Sequence, residues 1–100
     1  MSFLKKFFGP GPDFKAMRTG GAIILDVRSP SEFSTGHISG AKNIPLQQLQ
    51  AAVKSIQKDV PIITCCASGM RSANAKSLLK SMGFTNVENG GSWMRLKSQI

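Results

Sequence analysis

Residues 60–72 read Val60-Pro61-Ile62-Ile63-Thr64-Cys65-Cys66-Ala67-Ser68-Gly69-Met70-Arg71-Ser72. An apolar run of strand length ends on two cysteines. A loop of small residues follows, then an arginine, then a segment with helical periodicity. A continuous apolar run of this kind fits a strand buried on both faces, as in parallel sheets. Strand, tight loop and helix in succession are the building unit of an α/β fold.

The rest of the chain repeats that alternation. Upstream, Asp13 is suited to cap a short helix over 14–19, and Gly20-Gly21 end it. Ala22-Ile23-Ile24-Leu25-Asp26-Val27 is a second buried-strand run. Ser29 to Phe33 reads as a turn into one helical turn, and 41–44 as a short strand closed by Pro45. Leu46, Leu49, Val53 and Ile56 lie on one side of a helix expected over 46–58. Downstream, Ala75, Leu78, Leu79 and Met82 follow the i, i+3, i+4, i+7 pattern of a helix over 72–82, with Gly83 at its end. A brief strand near 86–88, Gly90-Gly91 and a last helix around 92–98 complete the chain. The expected architecture is a single α/β domain over 13–100, three layers deep, with a mainly parallel central sheet and helices on both faces. In such folds ligands bind at the carboxyl ends of the strands, where the Cys66 loop lies.

Residues 1–12 form a separate lead-in. Phe3, Leu4, Phe7 and Phe8 recur at helical spacing opposite Lys5 and Lys6, and Gly9-Pro10-Gly11-Pro12 breaks the element. The segment is read as folding back over the domain, with a short amphipathic anchor on a membrane surface or partner as the alternative; eight residues are few for a free helix.

Composition narrows the function classes. Of 100 residues, 41% are hydrophobic, and no run reaches the roughly 18 apolar residues of a membrane span. The charged opening segment does not resemble a secretory signal, so the expected compartment is the cytoplasm, where thiols stay reduced. Thirteen Lys and Arg against five Asp and Glu give a net charge of +8, which favours anionic partners. The basic residues are scattered, Tyr is absent and Trp occurs once, so nucleic acid is not an expected partner. Two adjacent cysteines and one histidine are too few for a zinc site or a disulfide framework. Side chains of neighbours on a strand point to opposite faces, so Cys65 and Cys66 belong in different environments.

The loop 66–72 has the layout of an anion cradle with a thiol at its base. Small residues at Ala67, Ser68 and Gly69 let backbone N–H groups curl around the sulfur. The following helix aims its positive end at the same point, and Arg71 adds a full charge. A free thiol with a pKa of about 8.5 is mostly protonated at pH 7, and these features predict a lowered value and a thiolate nucleophile at Cys66.

Three motifs, in order, resemble the single-domain rhodanese (thiosulfate sulfurtransferase) family. They are Cys66-x-x-Gly69-x-Arg71-Ser72 after an apolar strand; the stretch from Leu25 to Phe33 with Gly36-His37-Ile38-Ser39-Gly40-Ala41-Lys42-Asn43-Ile44-Pro45-Leu46; and Gly90-Gly91 with Trp93. The likeness covers about residues 14–96. It implies that the Cys66 thiolate takes the outer sulfur of thiosulfate or a persulfide donor, sulfite leaving in the first case. A thiophilic acceptor (cyanide, a thiol or an acceptor protein) then removes the sulfur from the cysteine persulfide. The cradle over Ala67, Ser68, Gly69, Met70, Arg71 and Ser72 would stabilise the anion, and no metal or organic cofactor is implied. A module that carries a persulfide, or binds a partner, without turnover is the alternative.

Loop length separates a further rival. Counted from Cys66, Arg71 follows four intervening residues, the sulfur-sized loop of rhodaneses. Counted from Cys65 it follows five, the spacing of cysteine phosphatases and arsenate reductases. Gly69 stands three residues after Cys66, as the rhodanese pattern expects, whereas Ser68 stands three after Cys65. Cys66 is therefore read as the nucleophile and Cys65 as strand packing, with a resolving thiol as the lesser role. Arg71 is left with two roles, binding the donor's sulfonate or pairing with an acidic neighbour. Asp26, Arg28, Glu32 and His37 belong to the N-terminal signature and are expected to support fold and loop, His37 through a structural hydrogen bond rather than as a base. Trp93 and Met94 are expected in the core or at the pocket rim.

Overall fold

Ile62–Cys66 forms the strand at the centre of the molecule, and all five of its residues are buried. A computed structural model describes residues 11–100. The amphipathic segment expected at residues 1–8 lies outside the described residues. In chain order the elements are α1 Phe14–Thr19, β1 Ile23–Asp26, α2 Pro30–Thr35, β2 Lys42–Asn43, a 3-10 turn Leu46–Gln48, α3 Leu49–Ala52, β3 Ile62–Cys66, α4 Met70–Ser81, β4 Val87–Ser92 and α5 Trp93–Lys97. The four strands make one parallel sheet in the order β2-β1-β3-β4. Among the described residues no helix is long and apolar enough to cross a membrane.

Two apolar clusters sandwich the sheet, which is why its inner strands carry no polar–apolar alternation. One gathers Leu25, Val27, Leu49, Val53, Ile62, Cys66, Ala75, Leu79, Phe84 and Val87. The other gathers Ile24, Ile38, Ile63, Cys65 and Leu96, with Phe14, Met17 and Trp93 packed against it. The alternation places Cys66 under α3 and α4 and Cys65 under α1 and α5, as period-two geometry requires.

Caps settle the short helices. Asp13 Oδ1 accepts from the Ala16 N–H at 3.0 Å. Ser29 and Glu32 form a reciprocal capping box with Pro30 at the first helical position. Ser92 Oγ accepts from the Arg95 N–H at 3.2 Å.

Three expectations need correction. The helix expected over 46–58 is a 3-10 turn and one α-turn ending at Ala52, after which the Ile56 N–H bonds back only three residues to Val53 O. Val53, Ser55 and Ile56 are weak interior helix formers, yet Leu49 and Val53 still reach the core. The helix expected from Ser72 begins at Met70, so Met70 and Arg71 form its first turn instead of ending the loop. The brief strand near 86–88 runs on through Gly90-Gly91 to Ser92. Thr64 pairs with Asn89 and Cys66 with Ser92, so β4 carries one extra residue there, a bulge that Gly91 absorbs at φ 79°. Gly90 passes so close to β3 that a Cβ would stand 2.7 Å from Leu96 Cδ2 and 2.9 Å from Thr64 O.

Candidate active site

The chain leaves β3 at Cys66 and turns through Ala67, Ser68 and Gly69 into α4. Gly69 sits at φ 107°, a backbone region that favours glycine, and it is the residue that caps α4. The turn folds the backbone back onto the cysteine. Cys66 Sγ accepts from the Gly69 N–H at 3.0 Å and the Ser72 N–H at 3.3 Å, and lies 3.4 Å from Ser72 Oγ. The sulfur thus sits at the positive end of a 12-residue helix.

Burial pushes the Cys66 thiol up, but the Ser72 hydroxyl and the N–H groups of Ser72, Gly69 and Ser68 outweigh it, and the net shift is downward. Hydrogen bonds to the charged form are what favour it here. Among the described residues Cys65 has no such donors. Burial pushes its thiol up to about 12, with the adjacent Asp26 carboxylate adding to the shift. Of the two thiols, Cys66 is therefore the one poised to ionise.

Arg71 keeps a charge interaction with the Cys66 sulfur, and its guanidinium is also bound by an acidic partner. Its Nη1 donates to Glu32 Oε1 at 2.7 Å and its Nη2 to Glu32 Oε2 at 3.0 Å. The Arg71 guanidinium, joined by the Ser29 N–H, pulls the Glu32 carboxyl down to about 2. Of the two roles left to Arg71, the structure shows the acidic neighbour. Ala67 and Ser68 lie exposed on the turn, and Met70, 76% exposed, points outward from the first turn of α4.

Asp26 and Arg28 are joined in a buried pair, Arg28 Nη2 donating to Asp26 Oδ2 at 2.8 Å and Nε to Oδ1 at 2.9 Å. Arg28 also donates to the carbonyls of Gly36 at 2.7 Å and Glu32 at 3.2 Å, and its guanidinium lies 4.7 Å from the Trp93 ring centroid. This knot ties the end of β1 to both ends of α2 and to α5. His37 is exposed; its Nδ1 lies 2.7 Å from Phe33 O and its ring stacks on Phe33 at 3.7 Å. Its bond is therefore to α2 backbone. Trp93 packs on the second cluster as expected, whereas Met94 is 68% exposed and outside the core.

Two residues that the sequence did not single out brace the loop. Thr64 Oγ1 donates to Ser72 O at 2.8 Å, and Asn89 Nδ2 donates to Gly69 O at 3.4 Å while its Oδ1 accepts from the Gly91 N–H at 2.9 Å. A polar Thr64 inside an otherwise apolar strand was the one available signal, since a buried hydroxyl requires a partner. Asn89 carried none, because its role depends on the β4 bulge. Among the described residues no group of three His, Cys, Asp or Glu side chains is placed to hold a metal ion.

Comparison with known proteins places the chain in a family. Residues 12–93 match the rhodanese-like domain family, and the chain belongs to it. It is similar to YqhL of Bacillus subtilis, 43% identical over 68 residues, which span 68% of this chain and 54% of that protein. It is 36% identical over 78 residues to thiosulfate sulfurtransferase GlpE of Stutzerimonas stutzeri, covering 78% of this chain and 72% of the relative. A rhodanese of Escherichia coli solved with anions superposes with a TM-score of 0.70 at 32% identity, over 75% of this chain and 91% of that one.

Proposed function

We propose that this protein is a sulfurtransferase whose nucleophile is Cys66. The observation that carries the reading is the sulfur itself, set at the carboxyl end of β3 with the Gly69 and Ser72 N–H groups aimed at it from 3.0 and 3.3 Å. The thiolate attacks the outer sulfur of thiosulfate, a new S–S bond forms, the donor's S–S bond breaks, and sulfite departs with the electron pair. Cys66 is left as a persulfide anion in the same cradle, which also faces the charge that develops in the second displacement. A thiol, cyanide or the cysteine of an acceptor protein then takes the outer sulfur. Relatives named thiosulfate sulfurtransferase support thiosulfate as a donor. Two free cysteines are in keeping with a reducing compartment such as the cytoplasm.

The test is intact mass after incubation with thiosulfate. Wild type and Cys65→Ser gain one sulfur, and Cys66→Ser gains none. A sulfur retained by Cys66→Ser overturns the assignment. Turnover with cyanide then separates an enzyme from a persulfide carrier.

A further inference from the structure

Arg71 is the cation nearest in sequence to the Cys66 loop, and it stands in the helical turn whose N–H groups hold the sulfur. Both of its terminal nitrogens are taken by one carboxylate, at 2.7 and 3.0 Å. Glu32 is itself held in place. Its Oε1 accepts from the Ser29 N–H at 3.0 Å and from Ser29 Oγ at 3.1 Å, so the pair is anchored on the first turn of α2. The two side chains are 39% and 37% exposed, where an arriving anion meets their combined charge.

We propose that Glu32 is a specificity-determining residue: by neutralising Arg71 it withholds a free positive charge from the loop and restrains the preference for doubly over singly charged sulfur donors. The proposal rests on sulfur transfer by Cys66. Fork-to-fork pairing of guanidinium and carboxylate uses the same donors that a sulfonate would need. With Glu32 in place, a sulfonate has to displace an intramolecular partner already held by its capping bonds.

Two donors isolate the effect. Thiosulfate is a dianion and methanethiosulfonate a monoanion. In each case the Cys66 thiolate bonds to the terminal sulfur, the donor's S–S bond breaks, and sulfite or methanesulfinate leaves with the electron pair. The product on the enzyme is the same persulfide anion, so the ratio of the two kcat/KM values reports charge recognition. Glu32→Gln retains a capping acceptor for Ser29 and frees Arg71. The thiosulfate-to-methanethiosulfonate ratio then rises roughly three- to tenfold, the effect of one unit charge on one extra donor charge near a protein surface. Arg71→Gln leaves Glu32 unpaired and lowers the ratio below wild type. In the double variant Glu32→Gln/Arg71→Gln the pair is neutral again, and the ratio returns to the wild-type value.

A purely structural role for Glu32 moves both donors together and leaves the ratio still. An unchanged ratio in folded Glu32→Gln, or a gain that persists in the double variant, overturns the proposal. Should Glu32→Gln fail to fold, the sign of the Arg71→Gln change decides it: a ratio that does not fall overturns it. Intact mass is recorded alongside. A wild type that takes sulfur from neither donor overturns the sulfurtransferase reading and this one with it; normal loading with an unmoved ratio overturns only the role of Glu32.

Discussion

Replacing Ser72 with alanine probes the cradle at the one side-chain contact it has among the described residues. Ser72 Oγ lies 3.4 Å from Cys66 Sγ and 3.1 Å from Gly69 O, and a hydroxyl has a single proton to give. While Cys66 is a thiol, its S–H donates to Ser72 Oγ and the hydroxyl donates to Gly69 O. On ionisation the hydroxyl turns its proton toward the sulfur, and Gly69 O keeps a donor in Asn89 Nδ2 at 3.4 Å. The alanine variant retains both backbone N–H donors and loses only this third one. A hydrogen bond to a charged group contributes about 1.5–3 kcal/mol, and a long contact to sulfur belongs at the low end. At about 1.4 kcal/mol per unit, the Cys66 pKa rises by about one unit. Below the pKa the thiolate fraction falls about tenfold, but the more basic thiolate is the better nucleophile, so the alkylation rate falls about three- to fourfold. The assay is the rate of iodoacetamide alkylation against pH. Cys65 stays silent in it because its thiol is pushed up to about 12. Ser72→Thr, which restores a hydroxyl, recovers the wild-type midpoint. A folded alanine variant whose midpoint is unmoved or lower would refute the claim that the hydroxyl stabilises the thiolate.

Other outcomes follow from the packing and the ion pairs. Gly90→Ala places a Cβ 2.7 Å from Leu96 Cδ2 and 2.9 Å from both Ile63 Cγ2 and Thr64 O, so chemical denaturation records a loss of about 1–3 kcal/mol for overpacking. Arg28→Met strands the fully buried Asp26 carboxylate, and the same measurement gives a loss of about 3–5 kcal/mol. The folded Glu32 carboxyl ionises more readily than the unfolded one, about 2 against an ordinary 4.5. Its contribution is therefore fully present above pH 5 or so and drains away as the pH falls from about 4.5 toward 2. Stability followed by circular dichroism in acid loses part of that slope in Glu32→Gln, and added salt weakens the effect in wild type because both side chains are more than a third exposed.

Local signals account for what was readable in advance. The buried runs at 22–27 and 60–65 became the two inner strands because a largely apolar run without alternation offers no solvent face, its polar Asp26 and Thr64 being buried with partners. Asp13, the Gly20-Gly21 stop and the periodic Ala75, Leu78, Leu79 and Met82 sit where capping and periodicity put them. The region 46–58 escaped because its apolar spacing suits a helix, while Val53 and Ile56 reach the same cluster from tight turns. Periodicity reports which residues are buried, and more than one backbone path can bury them.

For the site, the chain by itself singled out Cys66 as the candidate nucleophile, along with the small residues that let the loop close and the opposed environments of Cys65 and Cys66. These depend on spacing within seven residues and on the two-residue period of a strand. Only the tertiary structure decided where the charges go. Arg71 finds Glu32, 39 residues away in sequence, and Asn89 reaches Gly69 across 20 residues from a bulged strand. Partners so distant meet only because β1, β3 and β4 lie side by side with their carboxyl ends together, and no local pattern encodes that adjacency.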